Sequence, residues 1–256
     1  VLTASIPVFA PNTELFSIVK GAPSDQLNIG VIGTGARGQG LINIINRIKG
    51  IELIAICDTL QFRLNEASSL APKAKQYSNH QEMLLLKNLD AVIISTPLNT
   101  HAAIASDAVD ASVHIYCEKT MVKGDQDTLD LIQKVQNSHN KIFQTGHQYH
   151  SSRLYSHVVE MIQAGDIGQV IAIDAQWNRN GNWRRHVPNP KFERQINWRM
   201  YREYSYGLTA ELSSHQIDFC NWLLQDNPIK VAGFGGIDYW KDGRETYDNT
   251  NLIYSY

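Results

Sequence analysis

Cysteine is scarce: Cys57, Cys117 and Cys220 are the only three in 256 residues. They are widely spaced and odd in number, which speaks against a disulfide scaffold, and two of them close apolar runs where a small side chain is buried. An excess of charge is also missing, since 23 Lys and Arg stand against 25 Asp and Glu for a formal net charge of -2. No basic stripe offers itself to nucleic acid or to an anionic membrane surface, so neither is expected as a partner. No stretch approaches the ~20 consecutive apolar residues of a membrane-spanning helix. Internal repeats and low-complexity tracts are likewise absent. What is present, 43% apolar and 19% charged residues, permits a sizeable core in one or two domains.

The first residues leave two readings open. VLTASIPVFA begins at Val1 rather than methionine and is short, apolar and rich in small residues. It reads as the tail of a secretory signal, implying an exported or periplasmic protein, or as an extended arm packed on a neighbouring subunit of a cytoplasmic one. Residues 1–26 are therefore set apart as arm or signal remnant.

The stretch around which the rest is organised is NIGVIGTGARG, Asn28 to Gly38. A short apolar run enters a turn with Gly33, Gly35 and Gly38 in G-x-G-x-x-G spacing, and Leu41, Ile42, Ile44, Ile45 and Ile48 follow at helical intervals. The first glycine permits the tight turn, the second lets backbone amides approach a diphosphate, and the third lets helix pack on strand. An anion would sit on the helix N-terminus, where unpaired N–H groups and the dipole favour it. A second apolar run, Ile51 to Cys57, ends in Asp58, whose carboxylate suits the ribose hydroxyls of a dinucleotide. Asp58 would repel a ribose phosphate and no arginine immediately follows it, so NAD is expected over NADP.

Strands and helices alternate from there. Helices are expected over 61–70, 101–111 and 125–138, the last with Leu129, Ile132 and Val135 at helical spacing. Strands are expected over 75–78, 90–95, 113–117 and 142–146. This is the pattern of a doubly wound parallel sheet, which binds ligands beyond the carboxyl ends of its strands. Gly33, Asp58, Thr96, Glu118 and Gly146 all fall at such ends. We place a dinucleotide-binding Rossmann domain at 27–147 and an incomplete α+β substrate and oligomerisation domain at 148–256, with a helix over 151–164, a strand over 169–177, a helix over 207–224 and strands over 230–239 and 251–256.

Lys119 stands just past a buried strand, where a lysine can hold a substrate hydroxyl and, with a lowered pKa, take its proton. Glu118 beside it serves the ribose, anchors Lys119 or is solvated. Glu211, His215, Asp218 and Trp222 recur at intervals of four, three and four residues on one helical face, where a carboxylate one turn away can orient His215 and raise its basicity. His147 and Gln148 follow the last sheet strand as polar contacts to nicotinamide or substrate. A metal site built on His147, His150 and His157 is not expected, because no carboxylate or cysteine spacing accompanies them. NRNGNWRR (178–185) and INWRMYRE (196–203) offer aromatic faces and donors suited to a sugar; a subunit or domain interface would use the same residues.

GVIGTGARG, Cys57-Asp58, STPLNTH (95–101), HIYCEK (114–119), GHQ (146–148), GDIGQV (165–170) and ELSSHQID (211–218) together resemble the ordered motifs of the Gfo/Idh/MocA oxidoreductases over about residues 28–225. NWRRHVPNPKFERQINWRMYREY is similar to an often exported, Bacteroidetes-type subgroup of sugar dehydrogenases. The resemblance implies an NAD(P)-dependent dehydrogenase oxidising a secondary hydroxyl of a sugar, polyol or glycoside, working as a homo-oligomer (dimer or tetramer), with Lys119, Glu211 and His215 assisting the chemistry. Cofactor contacts are expected at Gly33, Gly35, Ala36, Arg37, Gly38, Asp58, Thr96, Pro97, Asn99, His101, Glu118, Lys119 and Gln148, and substrate contacts at His147, Trp183, Arg184, Trp198, Arg199 and Asp218. Thr120 replaces the family's usual proline, Glu211 its usual aspartate, and His150 stands where many members have arginine. A glycoside hydrolase that recycles its NAD, like the family 109 glycosidases, and a non-catalytic NAD or sugar sensor are the alternatives.

Overall fold

The computed structural model describes residues 26–138 and 141–256, so the expected arm or signal remnant lies outside the described residues but for Gln26. The chain runs β1 (Leu27–Ile32), α1 (Ala36–Ile45), β2 (Ile51–Cys57), α2 (Gln61–Leu70), β3 (Lys75–Tyr77), α3 (His80–Leu84), β4 (Ala91–Ile94), α4 (His101–Asp110), β5 (His114–Cys117), α5 (Asp125–Asn137) and β6 (Phe143–Thr145). The six strands pair in parallel in the order β3-β2-β1-β4-β5-β6. That is the doubly wound order in which the direction of winding reverses between β1 and β4 and opens a crevice at the carboxyl ends.

The alternation of side chains along the central strands feeds two cores, one on each face of the sheet. Val31, Ile42, Ile45, Leu53, Ile56 and Leu64 pack between the sheet and α1 and α2. Ile32, Val92, Ile94, Ile104, Ile115 and Leu131 fill the other side under α3, α4 and α5. Each fully buried aliphatic side chain contributes roughly 1.5–3 kcal/mol relative to exposure. Within α1 only part of the expected apolar set is inward: Ile42 and Ile45 are buried, whereas Ile44 and Ile48 are about half exposed. The buried stripe of α5 runs through Leu131 rather than the expected Leu129, which is exposed; Val135, one turn on, joins the same core.

The second part comprises α6 (Arg153–Gln163), α7 (Glu193–Ile196), α8 (Ser214–Leu224) and an antiparallel pair, β7 (Lys230–Gly236) and β8 (Asn249–Ser255). A π-turn over Thr209–Ser213 leads into α8. The Gln163 side-chain amide donates to the carbonyls of Trp222 and Leu223, fixing α6 against the end of α8. The strand expected over 169–177 is not formed. Residues 168–187 carry no regular structure and Ile171 is 93% exposed, because a strand needs a neighbour's N–H and C=O groups and β7–β8 pair only with each other among the described residues.

Candidate active site

At the glycine turn, Gly33 has φ +92°, and a Cβ on Gly38 would lie 2.0 Å from the Gly33 carbonyl oxygen. The first and third glycines are thus fixed by the turn itself. Gly35 differs: a Cβ there would meet nothing nearer than the Arg63 guanidinium at 3.3 Å. No side chain caps α1 and no acid stands in its first turn, so the amides of Ala36 and Arg37 face an open cradle fitted to a diphosphate. Asp58, 8% exposed, accepts from the Thr34 amide (2.8 Å) and hydroxyl (3.2 Å) and from the Leu60 amide (2.9 Å). Its oxygens keep lone pairs for ribose hydroxyls. These residues fit a dinucleotide. Arg63, in the first turn of α2, reaches this cradle and is not among the residues expected from the sequence; its position five residues after Asp58 is the signal that points to it.

Glu118 is neither solvated nor the anchor of Lys119. Arg37 Nε donates to it at 2.7 Å and Arg37 Nη2 lies at 2.6 Å, bridging the start of α1 and the end of β5. Tyr116 lies beside this pair, its pKa raised by burial and then by the Glu118 charge. His101, expected at the cofactor, is 2% exposed, and its two ring nitrogens lie 2.9 and 3.0 Å from the carbonyl oxygens of Thr120 and Thr96. The ring is enclosed between these two carbonyls, donating its one N–H to one of them, and so ties together the loops after β4 and β5. Thr96 and Pro97 line the loop, Asn99 is exposed, and Gln148 is exposed at the start of a short turn.

Lys119 points across to the second part of the chain. Its Nζ donates to the backbone carbonyl of Glu211 at 2.7 Å and lies 3.8 Å from Glu211 Oε2. The Lys119–Thr120 peptide is cis, and the Thr120 hydroxyl donates to the Ala210 carbonyl at 2.6 Å. Burial lowers the Lys119 pKa, with Glu211 opposing and Arg199 adding to the effect. The Glu211 carboxylate is itself enclosed, accepting from Arg199 Nε and from the Ser205 hydroxyl, each at 3.0 Å.

His215 is buried among Trp177, stacked at 5.8 Å, Tyr149 at 5.3 Å and His147 at 5.9 Å. Burial, then the positive charges of Lys119 and His147, lower its pKa to about 4. The expected rise in basicity from a nearby carboxylate is outweighed: Asp218 does push the pKa up, but burial and the neighbouring positive charges exceed it, and the Asp218 and Glu211 carboxylates are bonded to other partners. Asp218 Oδ2 accepts from His150 at 2.9 Å and lies 3.2 Å from His147 Nδ1. Burial pushes Asp218 up, but the two histidines outweigh it and hold it well below the usual carboxylate range. His150, stacked on Trp222 at 4.3 Å, was not among the expected contacts. The Nδ1 of His215 is buried without a partner among the described residues.

The aromatic segment divides. Trp183 and Trp198 lie under the Arg199 guanidinium, at 5.8 and 4.1 Å. Arg184, an expected substrate contact, directs its donors to Glu193 and to the side chain and carbonyl of Asp242. It fastens an otherwise irregular segment. An open groove of about 1350 Å³ runs between residues 170–179, α8 and β7–β8, and neither Lys119 nor His215 lines it.

A doubly wound sheet with an uncapped glycine turn, and a buried lysine just past β5, define a dinucleotide-binding Rossmann domain. The chain belongs to the Gfo/Idh/MocA family: residues 27–147 match its "Oxidoreductase family, NAD-binding Rossmann fold" and residues 155–256 its "GFO/IDH/MocA C-terminal domain". It is 26% identical over 203 residues to inositol 2-dehydrogenase of Salmonella typhimurium, covering 78% of this chain and 55% of that one. An uncharacterized oxidoreductase of Streptococcus pneumoniae is 27% identical over 231 residues, 90% and 58% of the two chains. Scyllo-inositol dehydrogenase of Lactobacillus casei, solved with NAD(H) and scyllo-inositol, shares the fold with a TM-score of 0.72 at 20% identity, over 90% of this chain and 66% of that one. The chain thus spans a little over half to two thirds of the length of these relatives.

Proposed function

We propose that this protein is an NAD-dependent dehydrogenase that oxidises a secondary hydroxyl of a sugar, polyol or glycoside. The observation that carries the reading is Lys119: an amine 12% exposed in its side chain, at the carboxyl end of β5 by the switch point, held from across the cleft by the Glu211 carbonyl. NAD, when bound, supplies the hydride acceptor. Lys119 takes the hydroxyl proton, and the neutral imidazole of His215 offers its unpartnered Nδ1 to orient that hydroxyl. The Trp183, Trp198 and Arg199 stack and the Asp218 carboxylate with its two histidines are proposed to receive the rest of the sugar or polyol ring. The Asp58 carboxylate supports NAD over a cofactor carrying a ribose phosphate, and the exposed face of β7–β8 supports assembly of copies.

The test is growth of the reduced-nicotinamide absorbance band when the protein and NAD meet a panel headed by inositols and followed by sugars and glycosides. Lys119→Ala is expected to lower the rate by ~10²- to 10⁴-fold, the usual contribution of a placed base. Glycoside cleavage without net reduction of NAD, or NAD binding with no turnover of either kind, would overturn the dehydrogenase reading.

A further inference from the structure

Every acid near Lys119 is already claimed by an arginine. The charged groups that face the amine are Glu211 and Arg199 from the second part of the chain, Glu118 from the end of β5 and Arg37 from the start of α1; His215, on α8, lies close enough to feel its charge. Glu118 is paired with Arg37 at 2.6 Å. Glu211, whose side chain is 2% exposed, receives Arg199 Nε at 3.0 Å on Oε2, the same oxygen from which Lys119 Nζ stands off at 3.8 Å. Its other oxygen holds the Ser205 hydroxyl, which in turn accepts from the Gly207 amide. Lys119 therefore meets the backbone of Glu211 at hydrogen-bond distance but its carboxylate only at longer range.

The consequence follows from counting charges. With Arg199 present, an uncharged Lys119 leaves behind a matched Glu211–Arg199 pair. Without Arg199 it would leave a buried carboxylate with no cation, which is far costlier. We propose that Arg199 is a positioning residue that enables Lys119 to act as the base, by taking over the charge of Glu211 so that the amine can stand neutral. Arg199 acts through Lys119, from a segment remote from both the glycine turn and the sheet. The inference rests on the dehydrogenase reading for its significance, but the protonation of Lys119 can be measured without turnover.

The test is the pH dependence of Lys119 acetylation by trace acetic anhydride, read by peptide mass spectrometry on the intact protein, together with the pH profile of kcat for the best substrate found. Wild-type Lys119 is expected to titrate clearly below the ~10.4 of an ordinary lysine. Arg199→Gln is expected to raise that midpoint by about 1–3 pH units, the usual effect of leaving an acid to act alone on its neighbour. The acidic limb of the kcat profile, below which the base is protonated, should move up with it, costing about tenfold in rate near neutral pH per unit. Arg199→Lys, which keeps the charge, should restore most of both. An unchanged midpoint in Arg199→Gln overturns the proposal, and so does a wild-type midpoint at the ordinary value, a result that stands even if the variant fails to fold. A shifted midpoint in a protein that reduces no NAD with any substrate would support this role while overturning the dehydrogenase reading.

Discussion

His215 shows how its surroundings set a residue's charge. Buried among Trp177, Tyr149 and His147, it binds a proton in the folded protein only near pH 4, whereas in the unfolded chain it does so near ~6.5. The unfolded state therefore takes up the proton first as pH falls. The stability contributed by the neutral ring is complete above about pH 6.5 and is lost between there and about pH 4. The melting temperature of the wild type should accordingly drop more steeply across that window than that of His215→Gln. Lys119, Glu211 and His215 were legible in the sequence through strand ends and helical spacing. The pairings that govern them were not: Arg37 meets Glu118 across 81 positions and Arg199 meets Glu211 across 12, and no periodicity relates such partners. Arg184 and His101 are engaged by the fold itself, and nothing in a motif tells whether a polar side chain faces a ligand or makes such internal contacts.

At the level of the element, the glycine turn makes two opposed predictions. Gly38→Ala places a methyl 2.0 Å from a carbonyl oxygen that belongs to the turn itself, so α1 must shift off β1. A loss of several degrees in melting temperature, together with loss of NAD binding by calorimetry, is expected. Gly35→Ala meets only the flexible Arg63 and sits at φ -66°; it should fold normally and weaken NAD binding alone. If both variants melt alike, the division of labour within the turn is wrong. Strands buried on both faces were readable because their apolar runs are nearly continuous. Residues 169–177 show the limit of that reading. Their composition suits a strand, yet pairing is supplied by another element, and alternating side chains cannot announce its absence.

At the scale of the whole molecule, two hydrogen bonds join the sheet domain to the second part at the active site: Lys119 to the Glu211 carbonyl and Thr120 to the Ala210 carbonyl. Occupying the cofactor cleft should therefore slow amide hydrogen exchange in the π-turn and the first turn of α8, and Thr120→Val should diminish that transmission. On the far side, Phe234 and Ile253 stand on one face of β7–β8, 88% and 77% exposed. If copies assemble through that face as proposed, Phe234→Lys should shift sedimentation toward the monomer while leaving the melting temperature little changed.

The lysine's grip on the second domain is made to a main-chain oxygen. Every amino acid carries that atom, so the hold survives whichever side chain position 211 presents. Two different parts of one residue thus set two properties of the base: the Glu211 carbonyl fixes where the amine sits, and its carboxylate, held by Arg199 and Ser205, shapes the charge around it.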